Sequence, residues 1–70
     1  MKHNNAKFKK FWRSLERSER MAIANKAGRN LEHIEQIASG ARLMGMATAF
    51  DLMDADSRIT MYMCFPERMK

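Results

Sequence analysis

Seventy residues, 8.2 kDa and a formal charge of +5 limit the chain to one small domain. A core of this size buries only roughly 60% of the unfolded surface, which leaves little room for a deep catalytic pocket. Hydrophobic residues at 46% and charged residues at 30% exclude a disordered chain, and the lone Cys64 excludes an intrachain disulfide.

Met1–Asn5 has no periodicity and reads as a loose tail before a single domain over residues 6–70. From Ala6, the residues Phe8, Phe11, Trp12 and Leu15 fall at i, i+3, i+4 and i+7, one face of a helix. Lys7, Lys9, Lys10 and Arg13 cover the rest. Residues 1–20 carry the whole net charge of the chain, whereas residues 21–70 balance. Such an excess favours an anionic partner, a nucleic-acid backbone or a membrane surface; a solvated helix face is the plainer reading.

A second helix is expected after Ser18, whose hydroxyl can cap it, with Ile23, Ala24 and Ala27 inward and Gly28 as a left-handed stop. Asn30 is a good cap for a third helix, with Leu31, Ile34, Ile37 and Ala38 as its buried stripe and Ser39-Gly40 as its end. A fourth helical stretch covers about residues 44–54, with Met46, Ala49, Phe50 and Met53 on one face and Gly45 in its first turn. The alternation of Ile59, Met61, Met63 and Phe65 with Thr60, Tyr62 and Cys64 predicts a strand over about residues 58–65. One strand needs a partner, and a second copy of the chain is the candidate, pairing through Ile59, Met61, Met63 and Phe65 or through the fourth helix.

The spacing over residues 20–39 carries the most meaning. Two helices that cross closely on a tight turn need a small residue at the contact and a glycine at positive φ. They also need apolar anchors on the second helix. Ala24, Gly28, Ile34 and Ile37 fill those roles in order, the pattern of a DNA-binding helix-turn-helix. Arg29 departs from it, standing where an apolar residue is common.

The chain resembles small Cro-like and YdaS-like helix-turn-helix regulators of phages and prophages over residues 8–67. The resemblance rests on Phe11-Trp12-Arg13-Ser14-Leu15, Glu19-Arg20-Met21-Ala22-Ile23-Ala24 and Lys26-Ala27-Gly28. It continues through Leu31, Ile34, Ile37, Ser39-Gly40-Ala41-Arg42, the helix at 46–53, Arg58-Ile59-Thr60 and Phe65-Pro66-Glu67. It implies a cytoplasmic, mainly all-α, compact four-helix lambda-repressor-like domain that binds operator DNA as a homodimer and represses transcription.

By position in the motif, a recognition helix at about 31–38 would present Asn30, Leu31, Glu32, Glu35, Gln36 and Ser39 to base edges. Gln36 can bridge adenine, Glu32 or Glu35 can accept from cytosine, and Leu31 can touch a thymine methyl. Arg20, Lys26, Arg29 and Arg42 would contact phosphates. Against this, residues 30–41 contain two glutamates and no Lys or Arg. The alternative is a module whose acidic helix engages a protein, as an antirepressor or antitoxin would.

Other features point to less. Phe8, Phe11 and Trp12 among lysines resemble a membrane-surface helix, but so small a core needs its aromatics, and membrane binding is not expected. No uncharged stretch approaches the ~18 residues of a span, and the basic N-terminus has no apolar run of a secretory signal. His3, His33 and Cys64 are not at metal-ligand spacing, and Asp51, Asp54 and Asp56 lack the glycine and terminal glutamate of a calcium loop. No nucleophile–base pair or phosphate loop is visible, so no cofactor and no enzymatic activity are expected. The lone thiol fits a reducing compartment.

Overall fold

A computed structural model describes residues 6–66; the tail expected at residues 1–5 and the end of the domain at residues 67–70 lie outside them. The order is α1 (Ala6–Ser14), α2 (Arg17–Ala27), α3 (Leu31–Ser39), α4 (Met46–Ala55) and α5 (Met61–Cys64). The chain is mainly helical and compact. None of these helices is long and apolar enough to cross a membrane.

In α1, Phe8 and Trp12 stand one turn apart and point into the core, their rings stacked with centroids 5.6 Å apart. Phe11 packs against the same core from its edge. The connection to α2 is short: the Leu15 N–H donates to the Trp12 carbonyl at 3.2 Å, and the Leu15 side chain is buried. α2 begins at Arg17 rather than after Ser18, because Glu16 takes the cap position in extended backbone and its N–H donates to Glu19 Oε1 at 3.3 Å. α2 lies against α4, α3 crosses α1 and α2, and α5 closes the far side against α1 and α4.

Two expectations are corrected here. α4 starts after Gly45, which is its N-cap and not part of its first turn, and it buries Thr48, Ala49 and Leu52. The expected stripe of Met46, Ala49, Phe50 and Met53 is rotated: Ala49 is inside, Met53 lies at the core edge, and Met46 and Phe50 face outward. Both faces of this helix are apolar, so periodicity alone cannot choose between them. The Arg29–Asp51 ion pair and the seat of Leu52 in the core decide it.

The second correction is the C-terminal strand. Residues 61–64 form a helical turn, and no strand occurs among the described residues. An unpaired strand would leave its N–H and C=O groups without partners, whereas the turn satisfies them locally. The Thr60 hydroxyl accepts from the Met63 N–H at 3.2 Å, and the N–H groups of Cys64 and Phe65 donate to the carbonyls of Thr60 and Met61 at 3.1 and 2.8 Å. Ile59 and Cys64 are buried, and Met63 and Phe65 pack against that core. The row of Ile59, Met61, Met63 and Phe65 is therefore not a free face for pairing: Ile59 is spent inside the protomer, and the strand that would have needed a second copy does not form.

Candidate nucleic-acid interface

The turn between α2 and α3 is built by backbone chemistry. Gly28 takes φ +69°, its N–H donates to the Asn25 carbonyl at 3.2 Å, and the Arg29 N–H donates to the Ala24 carbonyl at 3.0 Å. These paired bonds close the end of α2 around a left-handed residue. Asn30 then caps α3, its side-chain oxygen accepting the Glu32 N–H at 2.9 Å. α3 ends in the same way: Gly40 takes φ +89°, its N–H bonds to the Ile37 carbonyl at 3.1 Å, and the Ala41 N–H bonds to that of Gln36 at 2.9 Å.

Between those caps, Ile34, Ile37 and Ala38 hold α3 in the core, next to Ala24 of α2. Leu31 is half-buried and packs against the core, which removes most of it from any external partner. The outward row is Asn30, Glu32 and Ser39, exposed, with His33 and Gln36 half-buried beside them. Gly28, Arg29, Asn30, Glu32, His33, Gln36 and Arg42 border an open depression of about 500 Å³. Arg42 Nε donates to Gln36 Oε1 at 2.6 Å, joining the segment after α3 to its outer face. The amide nitrogen of Gln36 is left for another acceptor.

The charged residues divide into two groups. Glu35 does not stand in the outward row as a free acceptor. Its Oε2 accepts the Trp12 indole N–H at 2.5 Å and pairs with Arg20 Nη1 at 3.5 Å. Arg20 Nε donates to the Trp12 carbonyl at 3.1 Å. Arg20 and Glu35 thus tie α1, α2 and α3 together. Arg29 donates to Asp51 Oδ2 through Nε at 3.1 Å and Nη2 at 2.5 Å, which fastens the turn to α4. Arg58 pairs with Asp56 at 2.7 Å and Glu19 at 3.6 Å and lies over the Phe11 ring.

The remaining cations are of another kind. Lys7 lies over the Tyr62 ring. Of the other six, Lys10, Arg13 and Arg17 are exposed, Lys9 is half-exposed, and none has an ion pair among the described residues; the same holds for Lys26 and Arg42. Four of these six lie on α1 and the start of α2, and α1 packs directly against α3. The unpaired basic charge is therefore carried by Lys9, Lys10, Arg13 and Arg17 ahead of the turn, together with Lys26 in the last turn of α2 and Arg42 after α3, more than by Arg20 and Arg29. The charge excess of the first twenty residues was the signal for it; that Arg20 and Arg29 would be neutralised internally had no local signal.

Compared with known proteins, the chain matches no family model, no curated protein and no solved structure.

Proposed function

We propose that this chain is a sequence-specific DNA-binding regulator of transcription, of the Cro or repressor type, in which α2, the Gly28 turn and α3 act as a helix-turn-helix. One observation carries the reading. α3 is held from behind by Ile34, Ile37 and Ala38 and presents Asn30, Glu32, Gln36 and Ser39 outward from a three-residue turn. A helix of this width fits the major groove, where Gln36 would read adenine through its amide and Glu32 would accept from cytosine.

Phosphate contacts come from the cations left with neither a carboxylate nor a ring partner: Lys9, Lys10 and Arg13 of α1, Arg17 and Lys26 of α2, and Arg42 after α3. They supply affinity that any duplex shares and that salt weakens. Arg20 and Glu35 act as positioning residues, holding α3 to α1 through Trp12 rather than touching DNA.

A selection of bound duplexes from a random pool, repeated at low and physiological salt, tests the reading. The expected result is enrichment of a short motif and a loss of affinity with salt. A protein that retains no duplex even at low salt sinks it.

A second reading is favoured by one observation. α3 carries no Lys or Arg of its own, and the exposed Glu32 has no ion pair among the described residues. In that reading α3 docks on a basic protein surface, as an antirepressor or antitoxin would. Glu32→Lys discriminates: if α3 meets a duplex it tightens binding to random DNA and relaxes the preference at one cytosine, and if α3 meets a basic protein it abolishes that capture.

A further inference from the structure

We propose that Asp51 competes with the duplex for Arg29: the carboxylate on α4 holds the guanidinium at the α2–α3 turn until a backbone phosphate takes its place, and so sets the affinity for DNA. This exchange presupposes that the turn meets a duplex, as in the reading above.

Arg29 is placed for both partners. It follows Gly28 directly and borders the open depression with Asn30, His33 and Gln36. Asp51 lies outside that depression and takes the guanidinium from α4. A phosphate entering the depression therefore reaches a cation that is already held by another anion. The turn does not depend on the ion pair for its shape, because the N–H groups of Gly28 and Arg29 are bonded to the carbonyls of Asn25 and Ala24. The side chain can change partner while the backbone stays.

The grip of Asp51 is partial. Arg29 Nε and Nη2 both donate to Oδ2, at 3.1 and 2.5 Å, and neither Nη1 nor Oδ1 has a hydrogen bond among the described residues. The two-oxygen fork by which a guanidinium holds a carboxylate or a phosphate most firmly is not formed. The two side chains remain 32% and 43% exposed, so water screens their attraction. The other ion-paired arginines are held by more. Arg20 also donates to the Trp12 carbonyl, and Arg58 has two carboxylates and the Phe11 ring. Arg29 is the arginine whose guanidinium has one carboxylate as its sole partner among the described residues.

A duplex presents phosphates densely, and each can offer two oxygens to the fork. Taking Arg29 leaves Asp51 bare beside a polyanion. The wild-type chain thus realises only part of what an unencumbered Arg29 would add, and the carboxylate acts as a brake on binding.

Affinity for a random-sequence duplex at low salt tests this in the full chain. Asp54→Asn is the control, since it removes the same charge from the same helix at a residue with no ion pair among the described residues. Asp51→Asn is expected to tighten binding by about threefold or more beyond Asp54→Asn. With Arg29→Ala in place, the two carboxylate variants should become alike. An Asp51→Asn chain no tighter than Asp54→Asn overturns the proposal, as does an excess gain that persists without Arg29. A second measurement needs no altered carboxylate: the Arg29 Nε–H resonance, assigned by its loss in Arg29→Lys, should move when duplex saturates the wild-type chain. An unmoved resonance with duplex bound overturns the exchange and leaves the helix-turn-helix reading standing. A wild-type chain that binds no duplex overturns both.

Discussion

Glu35 accepts the indole N–H of Trp12 at 2.5 Å, and this bond fastens α3 to α1 across 23 residues of chain. Trp12 is almost wholly buried while Glu35 is 42% exposed, so removing the carboxylate costs the N–H its partner in the protein and lets water replace it only from that side. Glu35→Ala is expected to cost about 1–2 kcal/mol, read as a lower urea midpoint. Glu35→Gln keeps an acceptor and loses only the attraction to Arg20, so it should cost less than half as much. Equal losses in the two variants would show that the charge, not the indole bond, holds the helices.

Gly28 and Gly45 make a matched pair of backbone tests. A Cβ added at either meets nothing within 4 Å, so space is not the issue. Gly28 sits at φ +69°, where a side chain costs roughly 1–2 kcal/mol. Gly45 sits at φ −82° in the N-cap position, where a serine hydroxyl can accept a free N–H of α4. Gly28→Ala should lower the melting temperature, and Gly45→Ser should raise it by roughly half a kcal/mol of stability.

The free cations and the paired ones should separate in a salt titration of DNA binding. Lys10→Ala and Arg13→Ala are each expected to reduce the slope of log affinity against log salt by roughly 0.9 if the side chain neutralises one phosphate. Neither should shift the melting temperature. Arg20→Ala should do the reverse, lowering stability through lost contacts to Trp12 and Glu35 while leaving the slope nearly unchanged. Gln36→Ala should relax preference at one base position alone.

The pH dependence of stability has two limbs with different causes. Hydrogen bonds from Arg58 hold the Asp56 carboxyl below its usual 3.8. Its contribution is present above pH 3.8 and fades as pH falls through the lower folded value. Asp56→Asn should flatten this acid limb. Burial pushes the Cys64 thiol from 9.0 up to about 11. Between those values the unfolded chain releases a proton that the folded chain keeps, so stability falls as pH rises. Cys64→Ala should flatten the alkaline limb, measured as urea midpoints across the pH range.

The parts of the fold that local chemistry dictates were legible in the sequence. Gly28, Asn30 and Gly40 mark the ends of α2 and α3 because a left-handed stop and an Asx cap act on backbone groups a few residues away. The i, i+4 placement of Phe8 and Trp12 revealed the inner face of α1 because its other faces are charged. The outward row of α3 followed from its apolar stripe. What escaped was every choice between two locally acceptable answers. α4 has apolar residues on both sides, and residues 59–65 alternate well enough for a strand while also fitting a capped turn. Glu35 looked like a reader of bases because nothing nearby in sequence announces a tryptophan 23 positions earlier.

Sequence alone settled that this chain is helical, where its α2–α3 turn lies, and that its excess positive charge is concentrated ahead of that turn. Only the packed molecule decided which charges are spent on one another, which side of α4 meets the core, and that the last described segment coils rather than extends. The physical reason is range. Caps and helical periods are satisfied within a turn or two of backbone, whereas burial and ion pairing depend on neighbours that only the folded chain brings together.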